Sequence, residues 1–469
     1  MLSSFSVWSA CRRGAARLAA ATAVSGLVAT GALVTAGSAV AEELPQSQGG
    51  ATATIGGLKT YGDAVIHGDD GDQQVSAGLF EMSVDNGGML QTYCIDIHTP
   101  TQKDAKYQET PWSGTSLQAN ADAGKIRWIL QNSYPQVNDL AALAQKAGAS
   151  GLTEQDAAAG TQVAVWRYSD GADVDAVDPQ AEKLADYLEK NARSVAEPEA
   201  SLTLDPPAVS GHAGERLGPV TVHTNADSVT VTPPAEAAAD GVKVVDDKGE
   251  EVTSAADGSK LYFDVPEDTE DATTALTVQA STTVPVGRAF TSETRSQPQI
   301  LAGSSESTVS ATATAGWAKK GAIPALSAEK DCAKSGVDIT AANQGDEDFT
   351  FELMGTEYTI GAGASRTVTI PLQEDQAYDF TITGPDGFEK RFAGVLDCET
   401  QGSGTGTTTQ TVSEPSPATA GGTSGGGTDL AETGSSNATP IIAGVAIALV
   451  VIGGAAVLFV RKKQDSAKD

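Results

Sequence analysis

"TEQDAAAGTQVAVWRYSDG", residues 153–171, reads as a helix with its start written into it. Thr153 and Asp156 have capping-box spacing, and small and apolar residues then continue without a breaker, so the stretch predicts a helix over about 153–168. On that helix Gln162 and Trp166 are four residues apart and share a face, which places the indole to shelter the amide. Further helical patterns lie at 121–132 ("ADAGKIRWILQN"), 138–147 and 178–192. Upstream, "LKTYGDAVIH" (58–67) and "AGLFEMSVDNGGMLQTYCIDIH" (77–98) read as strands. "DNGG" at 85–88 turns the second into a hairpin that delivers Cys94 near its end. Strands followed by helices make residues 50–195 an α+β domain.

The two ends of the chain carry addresses. Residues 1–41 read as a secretory signal: Arg12, Arg13 and Arg17, an alanine-rich apolar stretch, then "AVA" at 39–41 with cleavage between Ala41 and Glu42. A membrane anchor is the alternative, but glycines interrupt a weak apolar run. Cys11 precedes that run, the wrong side for lipid modification. At the other end, residues 441–460 carry no charge, and as a helix they would span about 30 Å, the thickness of a bilayer's hydrocarbon core. "RKK" at 461–463 opens a basic tail, 461–469, that would stay in the cytoplasm. An ordinary single-pass membrane protein would share these last two features.

"LAETG", Leu430, Ala431, Glu432, Thr433 and Gly434, stands just before the apolar run. Motif, apolar helix and basic tail in this order resemble the sorting signal of Gram-positive cell-wall proteins, in the LAxTG form taken by class E sortases. The resemblance implies a cut between Thr433 and Gly434 and transfer of the Thr433 carbonyl to a peptidoglycan amine. Membrane contact through 441–460 would then be transient. Removing both ends takes 7 of the 30 basic and 2 of the 61 acidic residues, leaving 23 against 59, a net charge of −36. Such a surface repels phosphate backbones, so nucleic acid is not an expected partner.

Between the ends, composition changes twice. Residues 200–317 alternate Thr and Val with Asp, as in "VTVTP" (229–233) and "KLYFDVP" (260–266), with turns such as "DDKGE" (246–250) between the runs. Residues 318–400 continue in that style, and "GPDG" at 384–387 marks a hairpin. Both predict immunoglobulin-like β-sandwiches. Cys332 and Cys398 bracket the second. In an exported chain the expected state is a disulfide, with no histidine nearby in sequence to suggest a metal. Residues 401–429, mostly Gly, Ser and Thr, form a flexible linker whose coil reach is only about 30 Å. The sandwiches would therefore supply most of the reach as a stalk. Among Lys243, Lys248 and Lys260 no partner for an internal isopeptide bond stands out.

Pairing Cys332 with Cys398 leaves Cys94 alone. A lone cysteine is most often a small buried hydrophobe and a helical glutamine a polar surface residue. Taken together, however, "YCID" (93–96) and "TQVAVW" (161–166) resemble the paired motifs of the thioester domains of Gram-positive surface adhesins. "KIRWILQNSYP" (125–135) is similar to the helix that precedes the glutamine in that family. The resemblance implies an internal Cys94–Gln162 thioester, shielded by Trp166 and formed without cofactor or metal. Fixed proximity can supply about 7–11 kcal/mol of the drive that a thiol lacks against an amide. An outside amine, a lysine or a polyamine, would attack the Gln162 acyl carbon once and release the thiol. That is a single covalent event with no turnover, so the chain is read as an adhesin and not an enzyme. Two rival readings fit the same residues: a structural wall protein with no reactive role, and a cysteine hydrolase or transglutaminase using His98 or His67 as base.

Overall fold

The helix quoted above forms as its sequence dictates. In a computed structural model of the chain, Thr153 accepts the Asp156 amide while the Asp156 carboxylate accepts the Thr153 amide, a complete capping box. The structure describes residues 49–68, 71–233 and 238–399. The signal (1–41), the linker (401–429), the LAETG motif (430–434), the apolar segment (441–460) and the tail (461–469) lie outside the described residues. Among those described, no helix is long and apolar enough to cross a membrane.

Described residues are mostly β, and the longer α-helices among them fall between Ala123 and Asn191. The strands β1 (Thr52–Ile66), β2 (Gln73–Val84), β3 (Met89–Cys94), β4 (Lys106–Thr110) and β5 (Val174–Ala176) lie in one sheet. β1 and β2 run antiparallel from Ala53 opposite Val84 to Ile66 opposite Gln73. The turn into β3 uses left-handed backbone at Asn86, Gly87 and Gly88, as "DNGG" predicts. Helices α1 (Ala123–Gln131), α2 (Leu140–Ala147), α3 (Glu154–Ser169) and α4 (Pro179–Asn191) match the four expected, shifted by at most a few residues. α3 packs against β1, β2, α1 and α4. Residues 157–166 of it are all buried, so it is a central helix with no solvent stripe. Gly160 permits the close approach of α4, since a Cβ there would lie 2.4 Å from the Ala181 carbonyl oxygen.

Segment 200–317 folds differently from its expected outline. β6 (Leu202–Asp205), β7 (Ala208–His212), β8 (Arg216–Thr224), β9 (Val229–Thr232), β10 (Lys243–Val245), β11 (Ser254–Ala255), β12 (Lys260–Asp264) and β13 (Ala272–Thr283) come first. They are followed by β14 (Ala289–Ser292), β15 (Gln299–Ser304) and β16 (Glu306–Ala318). Two sheets, in the orders β10-β12-β8-β6 and β11-β9-β13-β16-β7, bury alternate residues such as Val220, Val222, Phe263, Leu276, Val278 and Ala311. β14 and β15 leave them and join the first sheet, giving the order β2-β3-β15-β14-β4-β1-β5, with β2 and β1 also paired. The pairings close a ring, β1–β2–β3–β15–β14–β4, that has no free edge. The sequence boundary near 195 is thus crossed: the first fold is completed by residues 289–304.

A buried ion pair fastens this junction. Glu109 on β4 accepts Ala51 N and Ser201 N and bonds Arg288 Nε at 2.9 Å. Arg288 also reaches Glu197 and the Pro198 carbonyl. Residues 324–395 form β17 (Pro324–Asp331), β18 (Gly336–Asn343), β19 (Phe349–Leu353), β20 (Thr356–Ile360), β21 (Ala364–Pro371), β22 (Ala377–Thr383) and β23 (Glu389–Val395) around Ile339, Phe349, Phe351 and Phe392. Cys332 and Cys398 are joined by a disulfide across a separation of 66 residues. β22 and β23 pair from Ala377 to Val395, with "GPDG" at the turn between them.

Candidate functional site

Cys94 is the last residue of β3, a strand that lies between β2 and β15, and Gln299 of β15 lies opposite it. Gln162 sits midway along α3, which packs against β1 and β2. Their side chains are 1% and 0% exposed. The carboxamide of Gln162 meets the Cys94 backbone in a reciprocal pair of hydrogen bonds. Cys94 N–H donates to Oε1 at 3.0 Å, and Nε2–H donates to the Cys94 carbonyl at 2.9 Å. A buried amide satisfied in this way on both ends has a single orientation. It presents its carbonyl carbon to the residue that carries the thiol.

Polar groups surround the sulfur. The thiol donates to the Asp96 carbonyl at 3.0 Å, while Asp96 N–H and the Trp166 indole N–H each donate to Sγ at 3.3 Å. Trp166, one turn beyond Gln162 and 1% exposed, therefore hydrogen-bonds the sulfur as well as covering it. Burial pushes the Cys94 thiol well up, the nearby Asp170 carboxylate adds to the shift, and the indole N–H opposes it.

The loop after Cys94 is held from three directions. Asp96 Oδ1 accepts the amides of His98 and Thr99, an Asx turn that shapes residues 96–99. The Gln297 side chain, just ahead of β15, donates to the Asp96 carbonyl at 2.8 Å. Gln297 Oε1 in turn accepts from Thr101 and from Gln299, and Gln299 Oε1 accepts from Thr92. At the end of α3, Asp170 Oδ1 accepts Ile97 N–H at 2.9 Å. Burial pushes the Asp170 carboxyl up to about 7, against the pull of donors from Ser169 and Ile97, with Asp96 adding to the rise.

Of the residues singled out in the sequence, Cys94, Gln162 and Trp166 converge, and the Cys332–Cys398 pair stands apart in its own module. The histidines do not reach the sulfur: its hydrogen-bond partners are Asp96 and Trp166, and His98 is exposed. His67 pairs at the surface with Asp72 and Asp175. Asp96, Asp170, Gln297 and Gln299 were not singled out. Asp96 closes "YCID" and Asp170 follows the last turn of the helix that begins at Thr153, and a carboxyl following a strand or helix end signals a cap or turn. Nothing local marks the two glutamines of "QPQI", whose importance comes from the long-range pairing of β15 with β3.

Residues 91–194 match a family model described as "Thioester domain", a span that holds Cys94, Gln162, Trp166 and Asp170. Residues 324–395 match a model described as "Bacterial phospholipase C, C-terminal domain". Among solved structures, the Bacillus anthracis TIE protein aligns at 16% identity over 74% of this chain, with a TM-score of 0.27. This chain spans 64% of that protein. The thioester domain of the Enterococcus faecium TIE86 protein aligns at 16% identity over 57% of this chain and 97% of its own, also at 0.27. Scores that low carry no weight for the fold. No curated protein matches the chain.

Proposed function

We propose that the chain is a surface adhesin whose Cys94 and Gln162 form an internal thioester that bonds once to an amine on its target. The observation that carries this reading is the reciprocal pair of hydrogen bonds between the Gln162 carboxamide and the Cys94 backbone. In forming the thioester, Cys94 Sγ bonds to Gln162 Cδ, the Cδ–Nε2 bond breaks, and the thiol proton leaves with the nitrogen as ammonia. The Cys94 N–H already donates to Oε1, so it would stabilise negative charge as it develops there. The indole N–H and Asp96 N–H would do the same for a sulfur anion. Full burial keeps water from the acyl carbon while the domain waits.

Attack by a lysine or polyamine would then form an amide at Gln162 Cδ and return the proton to Cys94. LAETG would place this head on the wall: a class E-like sortase would join Thr433 to peptidoglycan, and the modules of 200–317 and 318–400 would serve as a stalk. Intact mass of the purified chain tests the chemistry. One ammonia should be missing, and Cys94→Ala or Gln162→Ala should restore it. Methylamine should add to the wild-type chain and free one thiol. A chain of full mass with a titratable Cys94 would defeat the proposal, since a cysteine hydrolase also keeps a free thiol.

A further inference from the structure

Asp170 is the C-cap of α3, its own amide bonded to the Trp166 carbonyl at 3.1 Å. It is therefore fixed to the helix that carries Gln162 and Trp166. Its Oδ1 takes Ile97 N–H at 2.9 Å, reaching into the loop three residues beyond Cys94, and its Oδ2 takes Ser169 Oγ–H at 2.6 Å. No other side chain ties α3 to residues 95–99 among the hydrogen bonds of the described residues. The acidic group that faces this carboxyl from the loop is Asp96, and the titratable group is Cys94. On α3 itself, the nearest cation, Arg167, turns away to Asp175, Glu182, Asp186 and Glu189. Among the described residues, Asp170 takes part in no ion pair.

We propose that Asp170 is a positioning residue of the thioester: it clamps the Cys94 loop to the Gln162 helix, and its negative charge restrains departure of the Cys94 thiolate. The inference rests on the thioester reading and goes beyond it by naming what sets the reactivity. During aminolysis the amine nitrogen bonds to Gln162 Cδ, the Cδ–Sγ bond breaks, and the sulfur leaves carrying the electron pair before it takes the proton the amine gives up. A carboxylate bonded to the Ile97 amide, three residues along the loop from that sulfur, disfavours the anion; a neutral carboxyl does not. Because burial holds the Asp170 carboxyl near neutrality, the restraint is present above about pH 7 and lifts below it. The clamp persists in both states, since a neutral carboxyl still offers an oxygen to Ile97.

The test uses the full chain, its Asp170→Asn variant and its Ser169→Ala variant, with intact mass read first. All should lack one ammonia. Methylamine addition is then followed by mass and thiol release across pH. For wild type the rate should climb less steeply above about pH 7, while Asp170→Asn climbs without a break. The ratio of variant to wild-type rate should rise roughly three- to tenfold between about pH 6 and about pH 8, the effect of up to one pKa unit on the leaving thiol. Ser169→Ala, which removes a donor to the carboxylate, should move the wild-type break to higher pH. Parallel profiles for wild type and Asp170→Asn, with the ammonia missing from both, would overturn the role of Asp170. If Asp170→Asn does not fold, an unmoved break in Ser169→Ala overturns it instead. No missing ammonia in wild type would overturn the thioester reading itself, and this inference with it.

Discussion

Gln299 lies directly opposite Cys94 across β15 and β3, although it belongs to the segment that otherwise builds the second module. The strand carrying the thiol is therefore an interior strand of a closed ring only when residues 289–304 are present. A chain ending near 195 would expose the edges of β3 and β4 and lose the Gln297 donor to Asp96. Such a fragment is expected to aggregate or to keep a titratable Cys94, whereas one extending through Ala318 should show the missing ammonia. Mass and thiol titration of the two fragments check this.

Trp166→Phe keeps most of the apolar cover over the site and deletes the N–H that reaches Sγ. A hydrogen bond to a developing anion contributes about 1.5–3 kcal/mol, so thioester formation and methylamine addition should both slow by roughly tenfold or more. Stopped aliquots read by intact mass measure both rates. An unchanged rate would leave the indole as packing alone.

Three residues of the candidate site were legible in the sequence, while the frame that holds them was only half so. Cys94, Gln162 and Trp166 sit in local patterns, a hairpin end and a capped helix, whose spacing is a property of a few neighbouring residues. β14 and β15 carry no comparable mark. "AFTS" and "QILAGS" read like any other strands of a Thr- and Val-rich region, and their departure to another sheet is decided by packing around Phe290, Ile300 and Leu301. Asp170 was hidden for a different reason. A carboxyl at a helix end is ordinary, and only the folded loop brings it to face a thiol.

Arg288 and Glu109, 5% and 1% exposed, join β14 to β4 and the start of the second module. Arg288→Met would leave a buried carboxylate with neutral donors only. The expected loss is about 3–5 kcal/mol, and the double change with Glu109→Gln should recover part of it. Denaturant midpoints of wild type, both single variants and the double variant test the coupling.

The Cys332–Cys398 bridge closes a loop of 66 residues, which on the chain-entropy model stabilises its module by roughly 4 kcal/mol. Replacing both cysteines with serine should lower the unfolding midpoint of 324–395 and leave the missing ammonia intact, because that chemistry uses Cys94 alone. Differential scanning calorimetry together with intact mass separates the two effects. Loss of the thioester in this variant would mean that the third module is required to shape the site.

Asp170 also makes stability depend on pH in a direction opposite to that of most carboxylates. Its folded value of about 7 lies above the ordinary aspartate range, so between the two the folded chain holds a proton that the unfolded chain has released. Stability present below the ordinary value is therefore lost as pH rises toward about 7, and above that the loss is complete. Asp170→Asn, which cannot ionise, escapes it. The variant's denaturant midpoint relative to wild type should rise from about pH 4 to about pH 7 and then level off. A difference that stays constant across that window would mean that the carboxyl titrates as an ordinary surface aspartate. In that case it could not change charge beside Cys94 near neutrality.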